Sequence, residues 1–182
     1  MPVIYYLVGP PAVGKLTVAT LLRERTGAAW IDNHLVNDPV FVPLGADGVR
    51  PLPAGFGPLR ERVIDVVHEA IALAAADIDH ILTNWLDDSP TDAAFLDRIR
   101  ALAAKRGARL VLVWLSASPD TLLERVTSED RRRRAKLRDP QLLRHALASG
   151  TLPAPPDAIE IDTTDLSPAT TVDRVLEFAG RS

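Results

Sequence analysis

Gly9-Pro10-Pro11-Ala12-Val13-Gly14-Lys15-Leu16-Thr17 decides how the rest of this sequence is read. Two glycines five positions apart, followed at once by lysine, give the G-x-x-x-x-G-K spacing of a phosphate-binding loop. The β-rich apolar run 3–8 stands directly before it, and residues 16–25 carry helical spacing directly after it. In that setting the glycines let backbone N–H groups turn inward around phosphate oxygens. The N-terminus of the following helix adds about half a positive charge. Lys15 is then placed to reach the β and γ phosphates. With 10 glycines and only Lys15, Lys105 and Lys136 as lysines in 182 residues, the spacing arises by accident about once in a hundred such chains.

Outward from the loop, further short apolar runs occur at 28–32, 80–85, 110–115 and 158–161, separated by stretches with helical spacing. Five strands alternating with helices predict an α/β fold, a parallel five-stranded sheet with helices on both faces. Ser89-Pro90, Ser118-Pro119 and Ser167-Pro168 repeat one start signal, an N-cap hydroxyl before a proline whose missing N–H costs nothing at the first helical position. Val172, Val175, Leu176 and Ala179 form a core stripe in the last helix. Val63, Val67, Ala70, Ile71 and Ala74 are expected to do the same in a helix over 58–76.

Composition bounds the chemistry. At 47% apolar with a net charge of -3, the chain reads as one domain, 1–182, that buries its own core. The absence of cysteine excludes a disulfide framework, thiolate-held zinc, an iron–sulfur cluster and a cysteine nucleophile. No basic leader or cleavage site precedes the run 3–8, which is too short to span a bilayer, so a cytoplasmic protein without membrane attachment is expected.

One letter of the loop departs from the usual rule: Leu16 stands where Ser or Thr normally ligates magnesium, and Thr17 follows. A lysine, a variable residue and then threonine resembles the loop of adenylate kinases, and Gly-Pro-Pro openings are common among small P-loop kinases. Asp32-Asn33-His34 falls where shikimate kinases carry an aspartate pair. The basic segment 125–144 looks like the LID that closes over ATP, and Ile161-Asp162-Thr163-Thr164 is similar to the closing strand and adenine-side loop of shikimate and gluconate kinases. The chain is identified as a member of the P-loop kinase superfamily of the adenylate, shikimate and gluconate kinase type. That resemblance implies a three-layer fold with a LID and an acceptor-binding insert at about 33–62. It also implies ATP and Mg2+ as cofactors; with Leu16 at the usual ligand position, either Thr17 and Asp32 hold the metal largely through water or magnesium binding is weakened. It leaves open a monomer or a homodimer.

Asp32 closes the second strand, expected beside the strand that bears the loop, at the crevice where parallel sheets bind ligands. There it could hold a magnesium-bound water or accept the proton of an attacking hydroxyl; alternatively it caps the next helix. His34 follows as a candidate acceptor ligand, or a surface histidine. The third strand ends in neutral Thr83 and Asn84 rather than an acid, which suits acceptor hydroxyls or merely ties a loop.

Residues 125–144 hold eight basic side chains against three acidic ones, a net +5 in an acidic chain. Arginines suit a triphosphate through bidentate bonding, with Arg134 as the catalytic candidate and Arg125 and Arg131 on the nucleotide. The alternatives are a solvated helical face or an RNA-binding patch. Nucleic acid fits less well, since the patch is short and holds no aromatic residue. Arg60 and Arg62 are candidates for holding an acceptor carboxylate or phosphate. Asp87-Asp88 oppose a phosphate-bearing acceptor and tolerate a polyol or an amine. The expected activity is transfer of the γ-phosphoryl group to a hydroxyl of a small metabolite or antibiotic-like molecule. The competing expectations are a nucleoside or nucleotide kinase and a non-catalytic nucleotide-binding module.

Overall fold

The five expected strands form, as β1 (Val3–Val8), β2 (Ala29–Ile31), β3 (His80–Asn84), β4 (Arg109–Ser116) and β5 (Ala158–Asp162). They make one parallel sheet in the order β2-β3-β1-β4-β5. The computed structural model describes residues 1–46, 52–126, 140–148 and 150–181. Its helices are α1 (Lys15–Thr26), α2 (Asn33–Phe41), α3 (Phe56–Leu73), α4 (Pro90–Arg106), α5 (Pro119–Val126), α6 (Pro140–Ala148) and α7 (Pro168–Phe178).

All six residues of β1 are buried, and their side chains alternate between the two faces. Val3, Tyr5 and Leu7 join a core with buried residues of α1, α5, α6 and α7. Ile4, Tyr6 and Val8 join a second core with Ile71 of α3 and Leu96, Ile99 and Leu102 of α4. Helices therefore cover both faces. Three of them start where the Ser-Pro signals place them. Ser89 Oγ accepts from the Asp92 N–H at 3.2 Å, Ser118 Oγ from the Thr121 N–H at 3.2 Å, and Ser167 Oγ from the Thr170 N–H at 3.1 Å.

Two expectations need correction. β2 does not lie beside β1, because β3 is inserted between them. Thr83 and Asn84 thus pair in register with Leu7 and Val8, immediately before the phosphate loop, while Asp32 stands two strands away. In α3 the buried residues are Ile64 and Ile71, with Val67 half-buried and Ala70 exposed. Apolar residues occur around most of this helix, so periodicity alone could not single out the face that meets the sheet.

Candidate active site

The loop leaves β1 at Gly9, whose N–H donates to the Asn84 carbonyl at 3.3 Å. A Cβ at Gly9 would lie 2.4 Å from the Leu115 carbonyl oxygen, so glycine is required by close packing against β4. Ala12 at φ 71° and Gly14 at φ 105° then turn the backbone into the left-handed region. Such turns aim successive N–H groups at one point. Gly14 caps α1 without a side-chain hydrogen bond, so the first-turn N–H groups remain directed toward the crevice. The Lys15 ammonium folds back over the loop, donating to the carbonyls of Gly9 at 2.5 Å and Pro10 at 2.9 Å.

Around this loop opens a crevice of about 470 Å³. It gathers most of the residues expected from the sequence: Pro11 to Thr17 from the loop, Asp32 and His34 from the start of α2, Thr83 and Asn84 from β3, and Arg125 from α5. Asp32 is the N-cap of α2, its carboxylate accepting from the His34 N–H at 3.4 Å, while it also faces the crevice. His34 Nδ1 lies 3.4 Å from Asp38 Oδ1. Arg62 is exposed on α3 and is not among the residues lining the crevice. Arg131 and Arg134 lie outside the described residues.

Thr163 escaped the sequence reading as a site residue. It is 4% exposed, and its hydroxyl sits within 3.1 Å of the Val13 carbonyl and 3.0 Å of the Ser116 carbonyl. Arg125 donates to its hydroxyl at 3.2 Å and to its carbonyl at 2.8 Å. The signal was the Asp162-Thr163-Thr164 run itself. Asp162 accepts from both the N–H and the hydroxyl of Thr164, and these bonds hold its carboxyl below the usual aspartate range. Trp85 also lines the crevice, directly after Asn84.

The donor set near the loop suits a hard cation held mainly by phosphate and water. Thr17 offers a hydroxyl and Asp32 a carboxylate, both lining the crevice, and no cluster of three metal-ligating side chains exists among the described residues. Magnesium is commonly bound in this way, keeping several waters. These residues fit it.

A narrow cleft of about 40 Å³ adjoins the crevice, sharing Asn33, Thr83 and Asn84 with it. Tyr6, His68 and Arg60 are among its other polar residues. Burial pushes the Tyr6 phenol well above its ordinary range and lowers the His68 imidazole, the latter aided by Arg98. A wider pocket of about 490 Å³ continues outward past Arg60, Asn84 and Phe95 to Trp85, Asp92 and Arg98. There burial, and then the Asp87 carboxylate, hold Asp92 above the usual carboxylate range, although the Asp87 N–H donates to it at 2.7 Å. Both guanidinium groups at this mouth are already engaged. Arg98 donates to Glu61 at 2.5 Å and Asp65 at 2.8 Å; Arg60 donates to Asn37 at 2.7 Å and lies 3.6 Å from Glu61.

The family model described as AAA domain matches residues 4–150. No curated protein matches the chain. Among solved structures, the fold is similar to that of an unliganded sugar kinase from a Janibacter species (18% identity, TM-score 0.69, covering 100% of this chain and 96% of that one). It is also similar to a gluconokinase from Sinorhizobium meliloti (18%, TM-score 0.66, 98% and 92%). A third similar structure is the Mycobacterium tuberculosis APS kinase in complex with AMPPNP and APS (16%, TM-score 0.59, 98% and 98%). The chain has the fold of the P-loop kinases.

Proposed function

The chain belongs to the AAA domain family, and from that premise we propose that it is an ATP-dependent phosphotransferase acting on a hydroxyl of a small molecule. The observation that carries the proposal is one crevice holding a phosphate-type loop, Lys15, a strand-end carboxylate and the Arg125 guanidinium, with a further pocket of about 490 Å³ meeting it at Asn84 and Trp85. Loop N–H groups and Lys15 bind the triphosphate. Arg125 and Arg131 bind the nucleotide, and Arg134 of the basic segment supplies the guanidinium group that offsets charge on the transferring phosphoryl group. Asp32 accepts the acceptor's proton as its oxygen bonds to the γ-phosphorus and the bond to the bridging oxygen of ADP breaks. Thr17 and Asp32 would hold magnesium, largely through water, and the ion would supply charge neutralisation there.

The acceptor end carries a charge argument of its own. With Arg60 and Arg98 engaged by Asn37, Glu61 and Asp65, and with Asp87 and Asp92 nearby, the mouth presents more carboxylate than unengaged cation. This supports a neutral or amine-bearing alcohol as acceptor rather than a phosphate or carboxylate.

Phosphorus NMR of ATP, magnesium and protein with matched neutral, amine and carboxylate alcohols tests the reading. A new phosphate-ester resonance together with ADP is the expected result. Binding of ATP with transfer to nothing in a broad screen would instead leave a nucleotide-binding module, and transfer confined to nucleosides or their monophosphates would move the chain to that kinase class.

A further inference from the structure

The outward face of α3 has a pattern that the site does not use. Leu59 is 44% exposed, Val66 65% and Leu73 85%. Arg62 and Glu69 are also exposed and fall between them. The five positions follow each other at intervals of 3, 4, 3 and 4 residues, the spacing of a single seam along a helix. The remaining faces are taken. Ile64 and Ile71 point into the core, Arg60 meets Asn37 of α2, and Glu61 and Asp65 bind Arg98 of α4. Neither Arg62 nor Glu69 has an ion-pair partner among the described residues.

The seam is complementary to its own reverse. When the order Leu59, Arg62, Val66, Glu69, Leu73 is laid antiparallel against itself about Val66, Leu59 falls level with Leu73 and Val66 with itself, and Arg62 falls within one residue, about 1.5 Å of rise, of Glu69, inside the reach of two long side chains. Every apolar position faces an apolar one, and each charge faces its opposite. A two-fold axis demands this self-complementarity, since each contact must recur with its members exchanged. A single stripe facing lipid or an unrelated partner has no reason to be antisymmetric in charge.

We infer that a second copy of this chain covers this face, the two α3 helices packing antiparallel across a two-fold axis at Val66, with two Arg62–Glu69 ion pairs flanking the apolar contact. A helix of 18 residues offers about 27 Å of contact length, so the interface falls at the small end of specific interfaces, where weak and reversible association is the rule. The inference concerns assembly alone and stands whether or not the chain transfers phosphate.

Sedimentation velocity over about 1 to 200 μM tests it on the whole chain. The wild type is expected to pass from monomer to dimer within that range. Val66→Glu, which sets two carboxylates face to face, should leave monomer throughout. Arg62→Glu and Glu69→Arg should each weaken association at least about tenfold, and the double reversal should recover it to within a few-fold of wild type. All of these positions are exposed, and circular dichroism with thermal melting verifies that each variant is folded. A wild type that stays monomeric at the top concentration overturns the inference. So does a dimer indifferent to Val66→Glu, or a double reversal no better than the single ones.

Discussion

The Thr163 hydroxyl, 3.1 Å from the Val13 carbonyl oxygen, ties the end of β5 to the phosphate loop across 150 residues of sequence. The same oxygen reaches the Ser116 carbonyl at 3.0 Å and receives Arg125 at 3.2 Å. One buried hydroxyl therefore fixes the loop, the end of β4 and the first arginine of the basic segment relative to one another. Such a hub holds these segments together at the proposed nucleotide site.

Thr163→Val keeps the shape of the side chain and removes the hydroxyl, leaving the Val13 carbonyl short of a donor, while the Ser116 carbonyl keeps the backbone N–H of residue 163 at 2.8 Å. A loss of about 1–3 kcal/mol in stability is expected, with nucleotide affinity weakened several-fold because Val13 belongs to the loop. Chemical denaturation and calorimetric titration with ADP and magnesium measure the two effects; an unchanged affinity would confine Thr163 to a structural role.

Gly9→Ala forces a methyl group to 2.4 Å from the Leu115 carbonyl oxygen and 3.0 Å from Val13 Cγ1. The loop has to move off β4, at about 1–3 kcal/mol. Thermal unfolding should drop and nucleotide binding should fall with it. Retention of both at wild-type levels would show that β4 yields instead.

Lys15→Ala should lower turnover by about 10²–10³-fold while the melting temperature stays near wild type. Asp32 calls for a pair of variants, because it serves as the cap of α2 as well as facing the crevice. Asp32→Asn keeps a capping oxygen, so turnover should fall about 10²-fold with little loss of stability or ATP affinity. Asp32→Ala should add a stability loss of about 1 kcal/mol. Equal turnover in wild type and Asp32→Asn would reduce the residue to a cap.

Glu61→Gln removes the carboxylate shared by Arg98 and Arg60 at the mouth of the proposed acceptor pocket. Carboxylate-bearing alcohols should then gain in binding or turnover by several-fold relative to their neutral counterparts, the size expected from releasing partly exposed ion pairs. Steady-state comparison of a matched neutral and anionic alcohol measures the ratio, and a ratio unmoved by the substitution removes Glu61 from acceptor selection.

Asp162 has a folded-state pKa below its ordinary 3.8, because Thr164 donates twice to the charged form. A depressed carboxylate contributes stability that is present above the unfolded value and is lost as pH falls through the folded one. Asp162→Asn should therefore melt below wild type at neutral pH. The gap should narrow below about pH 4 and close once wild type is protonated. Melting curves from pH 3 to 7 give the comparison, and a gap independent of pH would assign the effect to geometry rather than charge.

Local chemistry was legible in the order of residues. The phosphate loop, all five strands and three Ser-Pro helix starts were readable because backbone conformation there follows from nearby side chains: glycine where the chain must turn, alternation or apolar runs in strands, a hydroxyl before proline at a helix start. The crevice residues Lys15, Asp32, Thr83, Asn84 and Arg125 were legible for the related reason that parallel sheets bring their strand ends to one edge.

Lateral arrangement was decided by the tertiary structure alone. The insertion of β3 between β2 and β1, the inward face of α3 at Ile64 and Ile71, the locking of Arg98 by Glu61 and Asp65, and the reach of Thr163 to Val13 all join positions tens of residues apart or more. Which strand neighbours which, and which side of a helix with apolar residues on several faces turns inward, depends on how the two faces of the sheet are covered at once. That is a collective choice among burial and hydrogen-bonding solutions, and no window of adjacent residues contains it.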